Sequence, residues 1–189
     1  MQPAALSLNL ERPAALSLNL DIVPVTACGT AQVRSASQSV IQPVVSACNS
    51  PYMRKSFPVE LIGLREYHQA LSMSKYDSQQ WGEGGRFFAR VILCSPAPEH
   101  PFAYATPLAD CDLASALAQR ARPLNTALIV ASLFEAVQAC HRMGIYHGDL
   151  KPANVLMYGD NPRLTDFGLA GSSRSFSCSA RLPGSKGYR

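Results

Sequence analysis

Four polar side chains fall within eighteen residues of this chain: Asp149, Lys151 and Asn154 in the run His147-Gly148-Asp149-Leu150-Lys151-Pro152-Ala153-Asn154, and Asp166 in Asp166-Phe167-Gly168. Two carboxylates, an amine and an amide suit phosphoryl transfer from a nucleoside triphosphate. That reaction needs a carboxylate to orient an attacking hydroxyl and take its proton. It also needs oxygen ligands for magnesium ions bridging the phosphates, and positive charge near the moving group.

The elements around these residues are those that would hold them on one bend. Asn125 can cap a helix running to Arg142, with Ile129, Leu133, Ala136, Val137 and Cys140 on one face and Gly144 at the left-handed position beyond its end. Ile145-Tyr146 is a short extended segment, and Pro152 stiffens the loop after it. Val155-Leu156-Met157, a Gly159-Asp160-Asn161-Pro162 turn and Arg163-Leu164-Thr165 make a hairpin that presents Asp166 at its exit. Asp110 or Asp112 can cap a shorter helix through Leu117.

Upstream, short β-branched runs broken by Gly29, Pro43 and serines between Asp21 and Cys48 predict strands joined by turns. From Pro58 to Met73, Leu61, Leu64, Tyr67 or His68, and Leu71 recur at helical spacing, which predicts one buried stripe. Strands return at Arg86 to Cys94 and Phe102 to Ala105. Residues 3–10 recur as residues 13–20, a direct repeat too short for a solenoid, so residues 1–20 are expected to be a loosely ordered leader.

The run His147 to Asn154 resembles the catalytic loop of eukaryotic-type protein kinases, H-R-D-L-K-x-x-N, and Asp166-Phe167-Gly168 matches that family's metal-binding motif. The resemblance implies an α+β, two-lobed kinase fold: a divergent strand-rich N-lobe over 21–106 and an incomplete helical C-lobe over 107–189. It makes Asp149 the catalytic base, Lys151 a support for the γ-phosphate, and Asn154 and Asp166 the magnesium ligands. ATP and Mg are the implied cofactors, and protein Ser/Thr hydroxyls, favoured by Lys151, the implied substrates. His147 is structural in this pattern. His100 to Asp112 corresponds to the family's fifth strand and hinge, and Gly184 to Arg189 looks like the segment that precedes the A-P-E motif. With the sequence ending there, the stripe of the Asn125–Arg142 helix is expected to be partly exposed and the chain to be a fragment, a truncated product or unstable.

Three departures bear on activity. Gly29-Thr30-Ala31-Gln32-Val33 is at best a remnant of the glycine-rich phosphate loop, and Gly82-Glu83-Gly84-Gly85 lies too close to His147 to replace it. The strand expected to carry the ATP-anchoring lysine, Ile41 to Cys48, has none. Lys55 is the nearest substitute, with Glu66 or Glu60 as a partner closer in sequence than is usual, and a surface basic pair Arg54-Lys55 is the preferred reading. Gly148 replaces the arginine that clamps an activation-segment phosphate, so phosphorylation of Ser172, Ser173, Ser175, Ser177, Ser179 or Ser185 is not expected to act through that clamp. The runner-up to an active kinase is thus a catalytically weak pseudokinase or truncated kinase acting as a protein-binding scaffold.

The 189 residues are 47% hydrophobic and 16% charged, as in a globular domain with a core. A net charge of +4 gives nucleic-acid binding little support, and its whole surplus sits in residues 163–189, where five basic residues face one acidic. The six cysteines lack zinc-site spacing and read as free thiols, Cys140 in the core. His68, His100 and His141 read as surface or satisfied residues. No apolar run of membrane-spanning length and no secretory signal is present, so the expectation is an intracellular protein, cytoplasmic or nuclear, with no membrane partner.

Overall fold

The structure, a computed structural model, describes residues 23–24, 33–34, 39–45, 50–83, 85–94, 99–119 and 123–172. The repeat over 1–20, the glycine-loop remnant from Gly29 to Gln32, the serines beyond Ser172 and the segment Gly184 to Arg189 lie outside them.

Four strands come first: β1 (Val23–Pro24), β2 (Val33–Arg34), β3 (Val40–Val45) and β4 (Pro51–Phe57). A long helix α1 (Glu60–Trp81) comes next, then β5 (Ile92–Cys94) and β6 (Phe102–Pro107). These strands form one antiparallel sheet in the order β1-β3-β4-β6-β5, with β2 also paired to β3. β6 lies between β4 and β5 and is buried along nearly all its length. In the β4/β6 register Lys55 lies opposite Tyr104 and Phe57 opposite Phe102. Residues directly opposite share a sheet face, so Lys55 and Tyr104 both face α1.

Helix α1 lies close against this face because it carries Gly63. A Cβ there would meet the Phe102 ring and come within 2.9 Å of Phe57. The helix runs eight residues past the predicted end at Met73, and its buried residues are Gly63, Glu66, Tyr67, Ala70, Met73 and Asp77. The predicted leucine stripe is therefore corrected. Leu61 is 69% exposed and Leu64 and Leu71 are half-buried, while a glycine and two carboxylates take buried positions. The predicted strand from Arg86 shrinks to Ile92–Cys94 for a local reason: the Asp77 carboxylate accepts from the amides of Arg86, Phe87 and Phe88 at 2.6, 2.7 and 3.0 Å, which removes them from a strand ladder.

Beyond the sheet come β7 (Cys111–Asp112), α2 (Leu113–Gln119), α3 (Thr126–Arg142), β8 (Ile145–Tyr146), a 3-10 turn (Pro152–Asn154), β9 (Val155–Tyr158), β10 (Asn161–Leu164) and β11 (Gly171–Ser172). Asp112 accepts from the Ser115 amide at the head of α2, and Asn125 from the Leu128 amide at the head of α3, as their residue types predict. Gly144, with φ 68°, lies just past the end of α3. The β9/β10 hairpin pairs Tyr158 with Asn161, so Pro162 belongs to the strand and not to the turn. In α3 the buried residues are Ile129, Ser132, Ala136, Ala139 and Cys140, with Leu133 packed against the same core. The stripe expected to be exposed is thus largely covered; Val130 (60%) and Phe134 (71%) are exposed on another face.

One apolar core joins the parts. Phe57, Tyr67, Met73, Phe88 and Tyr104 belong to the same buried cluster as Ile129, Val155, Met157, Leu164 and Phe167. Phe88 bridges Leu164 in parallel, with the Ala89 amide donating to the Leu164 carbonyl and the Leu164 amide to that of Phe87. The hairpin ending at Asp166 is in this way tied to the segment after α1. The order of elements, strands then a helix then strands then a mainly helical part, is the α+β kinase-like arrangement.

Candidate active site

The loop from His147 to Asn154 is laced to the segment carrying Asp166. His147 is buried, with its Nε2 2.9 Å from the Thr165 carbonyl and its ring centroid 4.8 Å from that of Phe167. Its Nδ1 accepts from the Asp149 amide at 3.3 Å, so Nδ1 is the unprotonated nitrogen and Nε2 donates to Thr165. Burial holds its pKa below the usual imidazole value, against the opposing pull of the Thr165 carbonyl, Asp166 and Asp149. His147 is a neutral brace beneath the loop.

Asp149 is 8% exposed and its Oδ2 accepts from Lys151 Nζ at 2.6 Å and from Asn154 Nδ2 at 3.1 Å. Asn154 Nδ2 also donates to the Asp149 carbonyl at 2.8 Å, and the Thr165 amide donates to the Asn154 carbonyl at 3.0 Å. The carboxylate is held in one orientation by an amine and an amide, as a base that receives a hydroxyl proton must be. The Asn154 amide nitrogen is turned to Asp149, so its oxygen is the ligand-type atom toward a cation. Asp166 has φ 63°, a left-handed conformation that Asp tolerates better than most residues and that is common at functional sites.

Lys55 corrects the sequence reading. It lies on β4, not on the strand from Ile41 where the lysine was sought, and at 8% exposed it is no surface basic residue. Its ammonium lies 2.6 Å from Glu66 Oε1 and 3.1 Å from Asp166 Oδ1. Burial alone would lower its pKa, but Glu66 and Asp166 outweigh burial and raise it, so the ammonium is charged. Glu66 is 2% exposed, and burial lifts its pKa above the ordinary carboxylate value while Lys55 and the Tyr104 hydroxyl pull it back. Glu60, the other partner weighed, opens α1 one and two-thirds turns earlier. Gly168 completes the fit, since a Cβ there would lie 2.9 Å from Glu66 Oε2 and 3.3 Å from Asp166 Oδ1. Tyr104, whose hydroxyl donates to Glu66 Oε1 at 2.5 Å, was not singled out in the sequence. Its one available signal is a phenol in a mainly apolar strand, whose polar tip must find a partner.

The donor set fits magnesium bound with a nucleotide. Mg prefers oxygen ligands, keeps several waters, and takes one or two protein groups together with phosphates. Asp166, with its side chain 37% exposed, and Asn154 are such groups. Among the described residues no cluster of three His, Cys, Asp or Glu could hold a metal by itself.

The protein kinase domain family model matches residues 108–189. The chain is 34% identical over 90 residues to the probable serine/threonine-protein kinase PkwA of Thermomonospora curvata, covering 46% of this chain and 12% of that protein. It is 39% identical over 70 residues to the serine/threonine-protein kinase SKS1 of Saccharomyces cerevisiae, covering 34% and 14%. It is 50% identical over 42 residues to the serine/threonine-protein kinase AfsK of Streptomyces coelicolor, covering 22% and 5%. The chain thus spans no more than 14% of the length of these relatives. Residues 108–189 thus carry the sequence signature of the protein kinase domain family, in line with the motifs and fold above.

Proposed function

We propose that this chain transfers the γ-phosphoryl group of Mg-ATP to Ser or Thr hydroxyls of a protein substrate. The observation that carries the reading is the Lys55 ammonium, held between Glu66 and Asp166, with Asp166 laced to the loop that bears Asp149. In this role Lys55 anchors the nucleotide phosphates, Asp166 and Asn154 hold magnesium, and the metal offsets charge on the phosphates when bound. Asp149 orients the substrate hydroxyl and accepts its proton. Lys151, 2.6 Å from Asp149, supplies positive charge beside the base. The names of the relatives and Lys151 support Ser/Thr hydroxyls over Tyr. A setting inside the cell, where ATP is present and thiols stay reduced, belongs to the proposal; Cys94, Cys111 and Cys140 are free.

The scaffold alternative draws on the lack of an anchoring lysine, and the placement of Lys55 supports the catalytic reading in its stead. The test is a thermal-shift titration with Mg-ATP on the chain and on its Asp166→Ala form. At a ligand concentration one hundred times Kd, binding stabilises the folded chain by about 2.7 kcal/mol. A shift in the parent chain that is lost in Asp166→Ala is the expected result. No shift in either form overturns the ATP-dependent reading.

A further inference from the structure

We propose that Tyr104 is a positioning residue, whose hydroxyl keeps the Glu66 carboxylate charged and aimed at Lys55. Its consequence for ATP rests on the function proposed above. The antiparallel register puts Tyr104 and Lys55 opposite one another on β6 and β4, and α1 lowers Glu66 onto both. Glu66 Oε1 therefore receives two donors from neighbouring strands, Lys55 Nζ at 2.6 Å and the Tyr104 hydroxyl at 2.5 Å. The Tyr104 ring is 4% exposed and fixed among aromatic neighbours: Phe57 at 5.8 Å between centroids and Tyr67 at 6.0 Å. A rigid ring gives its hydroxyl little freedom to leave.

The geometry has a chemical purpose. Glu66 is buried, and a buried carboxylate tends to take a proton, which would dissolve its ion pair with Lys55. The titratable groups facing it are Lys55 on β4, Tyr104 on β6 and Asp166 after β10. Lys55 and Tyr104 favour the charged form; Asp166, a like charge, opposes it. Lys55 is shared with Asp166, so the phenol is the donor that gives Glu66 a second bond independent of that sharing. Burial and the carboxylate hold the phenol's own pKa well above its ordinary value, so it stays a donor at any pH at which the protein works.

The substitution Tyr104→Phe removes the hydroxyl and leaves the ring. Carbon-13 NMR of glutamate side chains, with the Glu66 signal assigned by its loss in Glu66→Gln, tracks the carboxyl directly. Its midpoint is expected to rise by about one pH unit in Tyr104→Phe, tenfold in the protonation equilibrium. Mg-ATP affinity of the same variant is expected to fall more at pH 6 than at pH 8, a dependence that loosened packing alone would not produce. An unchanged Glu66 midpoint overturns the proposal. A raised midpoint in a chain that does not bind Mg-ATP upholds the role of Tyr104 toward Glu66 and overturns the kinase reading. In the unsubstituted chain a slowly exchanging, low-field Tyr104 hydroxyl proton is expected. A rapidly exchanging one overturns the proposal even where the variant does not fold.

Discussion

Replacing Lys55 by Met removes an ammonium while keeping most of the apolar stem, and two carboxylates are left without its charge. Glu66, 2% exposed, loses a partner at 2.6 Å, and Asp166 loses one at 3.1 Å. Stripping one partner from a buried ion pair costs about 3 to 5 kcal/mol, because the remaining charge is left desolvated. The Asp166 side chain is 37% exposed, so solvent screening holds its share to about 1 kcal/mol or less. Lys55→Met should therefore unfold about 3 to 6 kcal/mol more easily at pH 8, as read by urea denaturation monitored by circular dichroism. The deficit should shrink as pH falls. Without Lys55 the Glu66 pKa, already raised by burial, rises further, so Glu66 in the folded variant takes a proton before the unfolded chain does and stability returns. Adding Glu66→Gln should recover most of the loss at pH 8, a double-mutant coupling of about 2 to 3 kcal/mol. A deficit below about 1 kcal/mol at pH 8, independent of pH, would refute the buried pair and restore the surface pair Arg54-Lys55.

Two other side chains carry expectations of their own. His147 has a folded pKa below its unfolded value of about 6.5, so the stability it contributes is whole above that pH and is lost as pH falls through the folded pKa. Urea midpoints should drop between pH 7.5 and 5.5, and His147→Asn should flatten the drop; an equal slope in both forms contradicts the brace. Asp77→Ala strands three amides, two of them buried, and should cost at least about 2 kcal/mol by the same denaturation assay, with Asp77→Asn between it and the parent chain. A loss under about 1 kcal/mol would mean that the segment after α1 is held by other contacts.

The part of the fold that was legible in the sequence is the part where local rules suffice. Caps at Asp112 and Asn125, the left-handed Gly144 and the hairpin before Asp166 all depend on neighbours a few residues away. The leucine stripe of α1 misled because periodicity does not say which face meets the sheet. Contact at Gly63 and the ion pair at Glu66 chose a different face, leaving Leu61 in solvent. Lys55 and Glu66 lie closer in sequence than such a pair usually does, which favoured the surface reading of Lys55. Only two residues separate β4 from α1, however, so the second turn of the helix folds straight back over the strand. Tyr104 was out of reach because its role comes from strand register, a long-range pairing that a single sequence does not state.

Catalysis itself is tested by transfer of labelled γ-phosphate from Mg-ATP to a mixture of Ser-, Thr- and Tyr-containing peptides, comparing the 189-residue chain with Asp149→Asn. The expected result is label on Ser and Thr, dependent on magnesium, and slowed by about a hundredfold or more when the Asp149 carboxylate can no longer take the proton. Label that persists undiminished in Asp149→Asn, or that never forms although Mg-ATP binds, would contradict the roles given to these residues.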